Sequence, residues 1–134
     1  MSKSYYCPLF VLVIWLSVGC TRRPTALIHQ PIDLRVVGDD ALTLRLRDAL
    51  EQSIARSPKF YLASQQPSAV VIKIPSNVRW RRDGRRLKVL YTVEFTIGGY
   101  RHEAAGSCWS DSYAKCSSDI MRSAETFLSE VRHR

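Results

Sequence analysis

The chain lacks the residue patterns that carry enzyme chemistry. It has no Gly-rich phosphate loop, no G-x-S-x-G nucleophile elbow and no His, Cys, Asp or Glu spacing suited to a metal ion. Histidine is scarce, with only His29, His102 and His133. The acidic doublet Asp39-Asp40 has a ready use as a helix cap. These absences predict a protein that is not an enzyme and needs no cofactor. Long apolar runs are missing too. Pro8 to Val18 falls well short of the roughly twenty apolar residues that cross a bilayer core of ~30 Å. Acidic residues are outnumbered, 12 Asp and Glu against 20 Lys and Arg, giving a net charge of +8. That balance favours acidic partners such as lipid phosphates, lipopolysaccharide, anionic glycans or nucleic acid. A basic surface without a ligand is the plain alternative. What remains is ordinary: 134 residues at 46% apolar, enough for one domain with a core.

The first twenty residues read as an export signal. A short start bearing Lys3 precedes the apolar run Pro8 to Val18, and Gly19-Cys20 follows. From Thr21 the chain turns polar at once, with Arg22, Arg23 and Pro24. Leu16-Ser17-Val18-Gly19-Cys20 resembles the lipobox of bacterial lipoproteins, with Ser17 where that pattern has an aliphatic residue. The resemblance covers residues 1–20 and implies that 1–19 are removed and that Cys20 becomes the acylated first residue. By the same resemblance, Thr21, rather than Asp, after the cysteine implies sorting to the periplasmic face of the outer membrane, with the inner membrane as the alternative. Nucleic acid is then no partner. Residues 20–31 read as a lipidated tether with two prolines and no periodicity. With Cys7 discarded and Cys20 acylated, Cys108 and Cys116 remain in an oxidising compartment, and a disulfide between them is expected. A metal site is the rival reading, with no histidine close in sequence to supply a ligand.

The mature chain is organised around Leu87 to Ile97. Leu87, Val89, Tyr91, Val93, Phe95 and Ile97 alternate with Lys88, Leu90, Thr92, Glu94 and Thr96. This period of two predicts a long strand with one face on a core. Asp83-Gly84 before it and Gly98-Gly99 after it are hairpin signals. A turn at Gly98-Gly99 pairs Ile97 with Tyr100 and Phe95 with His102, and puts Ala104, Gly106 and Cys108 on the core face. It also opposes Glu94 and Glu103, with Arg101 placed diagonally to soften the repulsion. His102 reads as a partly buried structural residue.

A turn at Asp83-Gly84 pairs Trp80 with Leu87 and Val78 with Val89 on the core face. It sets Arg82 against Arg85, Arg81 against Arg86, and Arg79 against Lys88. Like charges in direct opposition cost a few tenths to ~1 kcal/mol per pair. Two readings stand for these six cations: solubility with protection of an edge, or a surface for phosphates or carboxylates.

Elsewhere, Ile32 to Val37 alternates as a first strand, closed by Gly38. Asp39 or Asp40 caps a helix running to about Arg56, with a stripe of Leu42, Leu46, Ala49, Leu50, Ser53 and Ile54. Ser57-Pro58 stops it. Phe60 and Leu62 mark a short strand, and a further strand over Ala69 to Arg82 is interrupted at Pro75 by a bulge or exposed edge. Ser110 to Ser112 caps a last helix to about Arg132, with a stripe of Cys116, Ile120, Ala124, Phe127 and Val131.

The prediction is one α+β domain over 32–134. Its order is β-α-β-β-β-β-α, a mostly antiparallel sheet of four or five strands with both helices on one face. This element order resembles accessory lipoproteins of lipopolysaccharide assembly and of ABC-type lipid transport, without a shared motif. The resemblance implies a non-catalytic accessory subunit of an envelope protein complex. The other readings are a direct binder of lipopolysaccharide or glycan through Arg79, Arg81, Arg82, Arg85, Arg86 and Lys88, and an immunity or inhibitor lipoprotein.

Overall fold

The computed structural model describes residues 29–134, so the export signal and the lipobox Cys20 lie outside the described residues. In chain order the elements are β1 (Gln30–Val36), α1 (Ala41–Arg56), β2 (Phe60–Leu62), β3 (Val70–Ile74), β4 (Arg79–Asp83), β5 (Arg86–Ile97), β6 (Tyr100–Trp109) and α2 (Tyr113–Arg132). The domain is α+β, and β1 begins at Gln30, so the last residues assigned to the tether belong to a strand.

The alternation of β5 makes it the centre of the sheet. Val89, Val93 and Phe95 are fully buried on one face, with Tyr91 beside them. Removing an aliphatic or aromatic side chain of this kind from water contributes about 1.5–3 kcal/mol. β6 pairs along one edge of β5 through the Gly98-Gly99 turn, in the expected register from Ile97 with Tyr100 to Val89 with Cys108. β3 and β4 follow each other along the other edge. They are one strand broken at Pro75, which lacks a backbone donor for the ladder.

The sheet is mostly antiparallel, as expected, but mixed, with two parallel pairings. β1 is parallel to both β2 and β3. α1 is the reason for the first pairing: a helix between two neighbouring strands carries the chain back to its starting end, so the next strand runs the same way. The chain then crosses β1 on the side away from the helices. The Gln65 N–H reaches Asp33 Oδ2 at 3.5 Å and Gln30 Nε2 donates to the Ser68 carbonyl at 2.7 Å. Asp33, buried beneath this crossing, also accepts from Arg35.

Both helices cover the other face. Leu46, Leu50 and Ile54 of α1 and Cys116, Ile120, Ala124 and Phe127 of α2 join the strand residues in one core. The helices meet at small residues, where Ser53 Oγ donates to Ser117 Oγ at 2.8 Å. Leu42 of the α1 stripe packs against the core partly buried, as expected, and Thr43 next to it is fully buried as well. Leu62 is exposed, leaving Phe60 as the one buried residue of β2. The small residues of β6 leave room, as expected, but a side chain fills part of it: a Cβ at Gly106 would overlap the Tyr91 ring. Ser112 is the N-cap residue of α2 yet makes no side-chain cap bond.

Asp40 is the cap of α1. Its carboxylate accepts from Leu42 N at 2.8 Å, Thr43 N at 3.0 Å and Thr43 Oγ1 at 2.7 Å. The Thr43 hydroxyl in turn accepts from Val78 N at 2.9 Å, which fastens the β3–β4 break to the helix start. Gly38 passes so close to Asn77 and Thr43 that a side chain there has no room. Burial opposes ionisation of Asp40, but the hydrogen bonds from Thr43 and Leu42 outweigh it and hold the carboxyl below its usual range. A lowered folded pKa means that the cap's stabilisation is present above the unfolded pKa and is lost as pH falls through the folded one. Asp40→Ala is therefore expected to cost about 1 kcal/mol at neutral pH, the usual value of an N-cap. The difference from the parent should shrink under acid, as read by thermal melts across pH.

Candidate functional site

The β4–β5 hairpin turns one residue later than the Asp-Gly signal indicates. Its turn residues are Gly84 and Arg85, flanked by the pair Asp83–Arg86. Gly84 takes φ +61° at the first turn position, while Arg85 keeps a negative φ. That is the type II′ arrangement, in which only the first position needs glycine. A turn at Asp83-Gly84 would have forced Asp83 into the left-handed region instead.

The shift rewrites the charge pattern. Arg82 faces Leu87, Arg79 faces Leu90 and Asp83 faces Arg86; of the expected like-charge oppositions none survives, and Arg81 with Lys88 is the one that forms in their place. Trp80 pairs with Val89 rather than Leu87. It keeps to the helix side of the sheet, as predicted, but is 58% exposed, with only the start of α1 beside it. It walls a shallow hollow beside Asp40, Leu42 and Asn77 at the start of α1.

Pairing thereby sorts the six cations. Arg79, Arg81, Arg86 and Lys88 lie on the face away from the helices, Arg82 lies on the helix side, and Arg85 stands in the turn. Trp109 of β6 faces Lys88 on that outer side. The Arg86 guanidinium stacks 4.1 Å from the Trp109 ring centroid, and Lys88 Nζ lies 5.5 Å from it. Such contacts are worth about 0.5–1 kcal/mol at exposed sites. Arg86 also bridges to Asp111 at 3.2 Å. Among the described residues, Arg79, Arg81, Arg82, Arg85 and Lys88 have no acidic partner within 4.0 Å. The result is a ridge of exposed guanidinium forks beside one half-buried ammonium. This is the chemistry that binds phosphate and carboxylate oxygens.

Trp109 lies outside the Arg79 to Lys88 stretch that the sequence marks. The Gly98-Gly99 register already placed it opposite Lys88, and that was the available signal. Alternation alone assigns Trp80 to the core, since it reports which face a side chain takes and not whether anything covers it.

The remaining assignments lie elsewhere. Cys108, at the end of β6, and Cys116, in the first turn of α2, form a disulfide with Cα atoms 5.5 Å apart, distant in role from the hairpin. Glu94 does face Glu103, and Arg101 bridges to Glu94 at 2.8 Å. His102 stacks on Phe95 and Phe127 with ring centroids 6.2 and 5.9 Å away, although its own surface is exposed. Among the described residues no group of three His, Cys, Asp or Glu converges as for a metal, and no helix is long and apolar enough to cross a membrane. No family model matches the chain, and neither a curated protein nor a solved structure is found to be similar to it.

Proposed function

We propose that the chain is a non-catalytic lipoprotein of the bacterial envelope that binds anionic material through the β4–β5 hairpin. The observation that carries this reading is the set of four exposed arginines, Arg79, Arg81, Arg82 and Arg85, and the half-buried Lys88, all without acidic partners among the described residues, set beside the exposed Trp80. A ridge meant only for solubility has no need of cations held in place by an aromatic ring, as Trp109 holds Arg86. The ligand is a phosphorylated or carboxylated envelope component, lipopolysaccharide or glycan. Purified protein should bind lipopolysaccharide or peptidoglycan at low salt and release it as salt rises, because exposed charges are screened beyond ~8–10 Å at ordinary ionic strength. Absence of binding to both at low salt would sink the proposal.

A second reading, an accessory subunit of an envelope complex, is favoured by the outer face of the sheet. That face carries Lys73, Glu94, Arg101 and Glu103 and has no helix across it. Salt-insensitive co-purification of a single protein would favour this reading over the first.

Either role places the domain at a membrane through Cys20. Mass spectrometry of the mature protein should find an acylated N-terminal cysteine, and Cys20→Ala should release the protein from the membrane fraction. An unmodified peptide starting at Met1 would refute the anchor.

A further inference from the structure

The sheet treats its edges differently. β2 is only 3 residues long. β4 carries Arg79, Arg81 and Arg82, and charges of one sign keep a second strand away. β6 runs for 10 residues, holds no proline or lysine, and pairs with β5 alone. The bond from the Ser110 N–H to the Leu87 carbonyl, 2.9 Å, sets the phase of its backbone. Even-numbered residues of β6 direct N–H and C=O toward β5, so Arg101, Glu103, Ala105 and Ser107 direct theirs to the open side. Tyr100, Arg101, His102, Glu103 and Ala105 are exposed there.

Charge selects what fits this edge. Glu103 faces Glu94, but the available cations go to Glu94, which holds Arg101 at 2.8 Å and has Lys73 opposite it on β3. Among the described residues Glu103 has no cation within 4.0 Å. We propose that β6 pairs antiparallel with β6 of a second copy of the chain, with His102 on the two-fold axis. Each Arg101 then faces Glu103 of the other copy, and both are residues whose backbone groups point outward. The sheets of the two copies join into one. Sliding the copies to the next compatible register sets Glu103 against Glu103, a destabilising pair. A further slide leaves Glu103 opposite Ala105 and Arg101 opposite Ser107, with no ion pair. The contact spans a short stretch around His102, so assembly depends on protein concentration.

The register makes the test specific. Residues paired across the axis without mutual hydrogen bonds have Cα atoms about 4.5 Å apart, within the range that a disulfide spans. Oxidised full-length protein carrying His102→Cys should run mainly as a disulfide-linked dimer. Adding Arg101→Glu, which opposes two acids at each pair, should cut the dimer at least tenfold, and adding Glu103→Arg to that variant should restore it. Melting curves of all variants establish that each is folded. His102→Cys that stays monomeric, crosslinking that ignores Arg101→Glu, failure of the charge swap to rescue, or preferential crosslinking through Glu103→Cys would each overturn the proposal.

Discussion

Replacing Arg79, Arg81, Arg82 and Arg85 together with Ser is expected to leave the protein folded and to remove its anionic ligand. A cation near an anionic surface is worth about 1 kcal/mol. Four of them amount to about 4 kcal/mol, close to a thousandfold in affinity. Arg86 is kept because it does structural work through Trp109 and Asp111. Stability should hold or rise slightly. The variant removes the opposition of Arg81 and Lys88, worth a few tenths to ~1 kcal/mol. None of the four replaced side chains is buried. Binding and stability would then move in opposite directions, which general damage to the fold does not produce. The measurement pairs a melting curve with titration of lipopolysaccharide or peptidoglycan at low salt. Unchanged affinity would end the assignment of the hairpin as the binding surface.

The second large effect is expected at the disulfide. Cys108→Ala with Cys116→Ala should lower stability by about 2.5 kcal/mol, the chain-entropy value for closing a loop of this size. For a domain near one hundred residues that is a fall in Tm of roughly 10–20 °C. The bond matters here for a local reason. Ser112 gives α2 no side-chain cap, and the covalent link to β6 holds the first helical turn in place of one. Both sulfurs are buried, Cys108 at 3% and Cys116 at 0% exposure, so reduction should be slow in the native state and fast once the protein unfolds. Protein unfolded and refolded with reductant should melt near the double variant. A variant as stable as the parent, or free thiols at both positions in protein taken from the envelope, would refute the prediction.

The parts of the fold that were legible are those decided within a few residues of chain. The alternation from Leu87 to Ile97 marked the central strand and its buried face. Gly98-Gly99 set the register of β6 down to the opposition of Glu94 and Glu103. Ile120, Ala124 and Phe127, at spacings of four and three, identified the inner face of α2. Pro75 marked the break between β3 and β4. The Asp83-Gly84 signal located a hairpin but misplaced its turn by one residue. A single glycine serves either the first or the second turn position, and the choice depends on which neighbour must then adopt a positive φ.

What the sequence determined by itself is which residues alternate, where the chain turns and how charge concentrates on Arg79 to Lys88. Only the tertiary structure decided which strands are neighbours and what covers each face. β1 lies parallel to β2 and β3 because α1 and the 63–69 crossing return the chain over a long separation, and periodicity carries no information about that return. Trp80 shares a face with the core yet stands in solvent, because only the start of α1 lies beside it. Arg86 lies over the Trp109 ring across the β5–β6 hairpin, a contact set by how the side chains pack and not by the register alone. Local pattern assigns a side chain to a face, whereas its burial and its partners depend on packing between elements far apart in the chain.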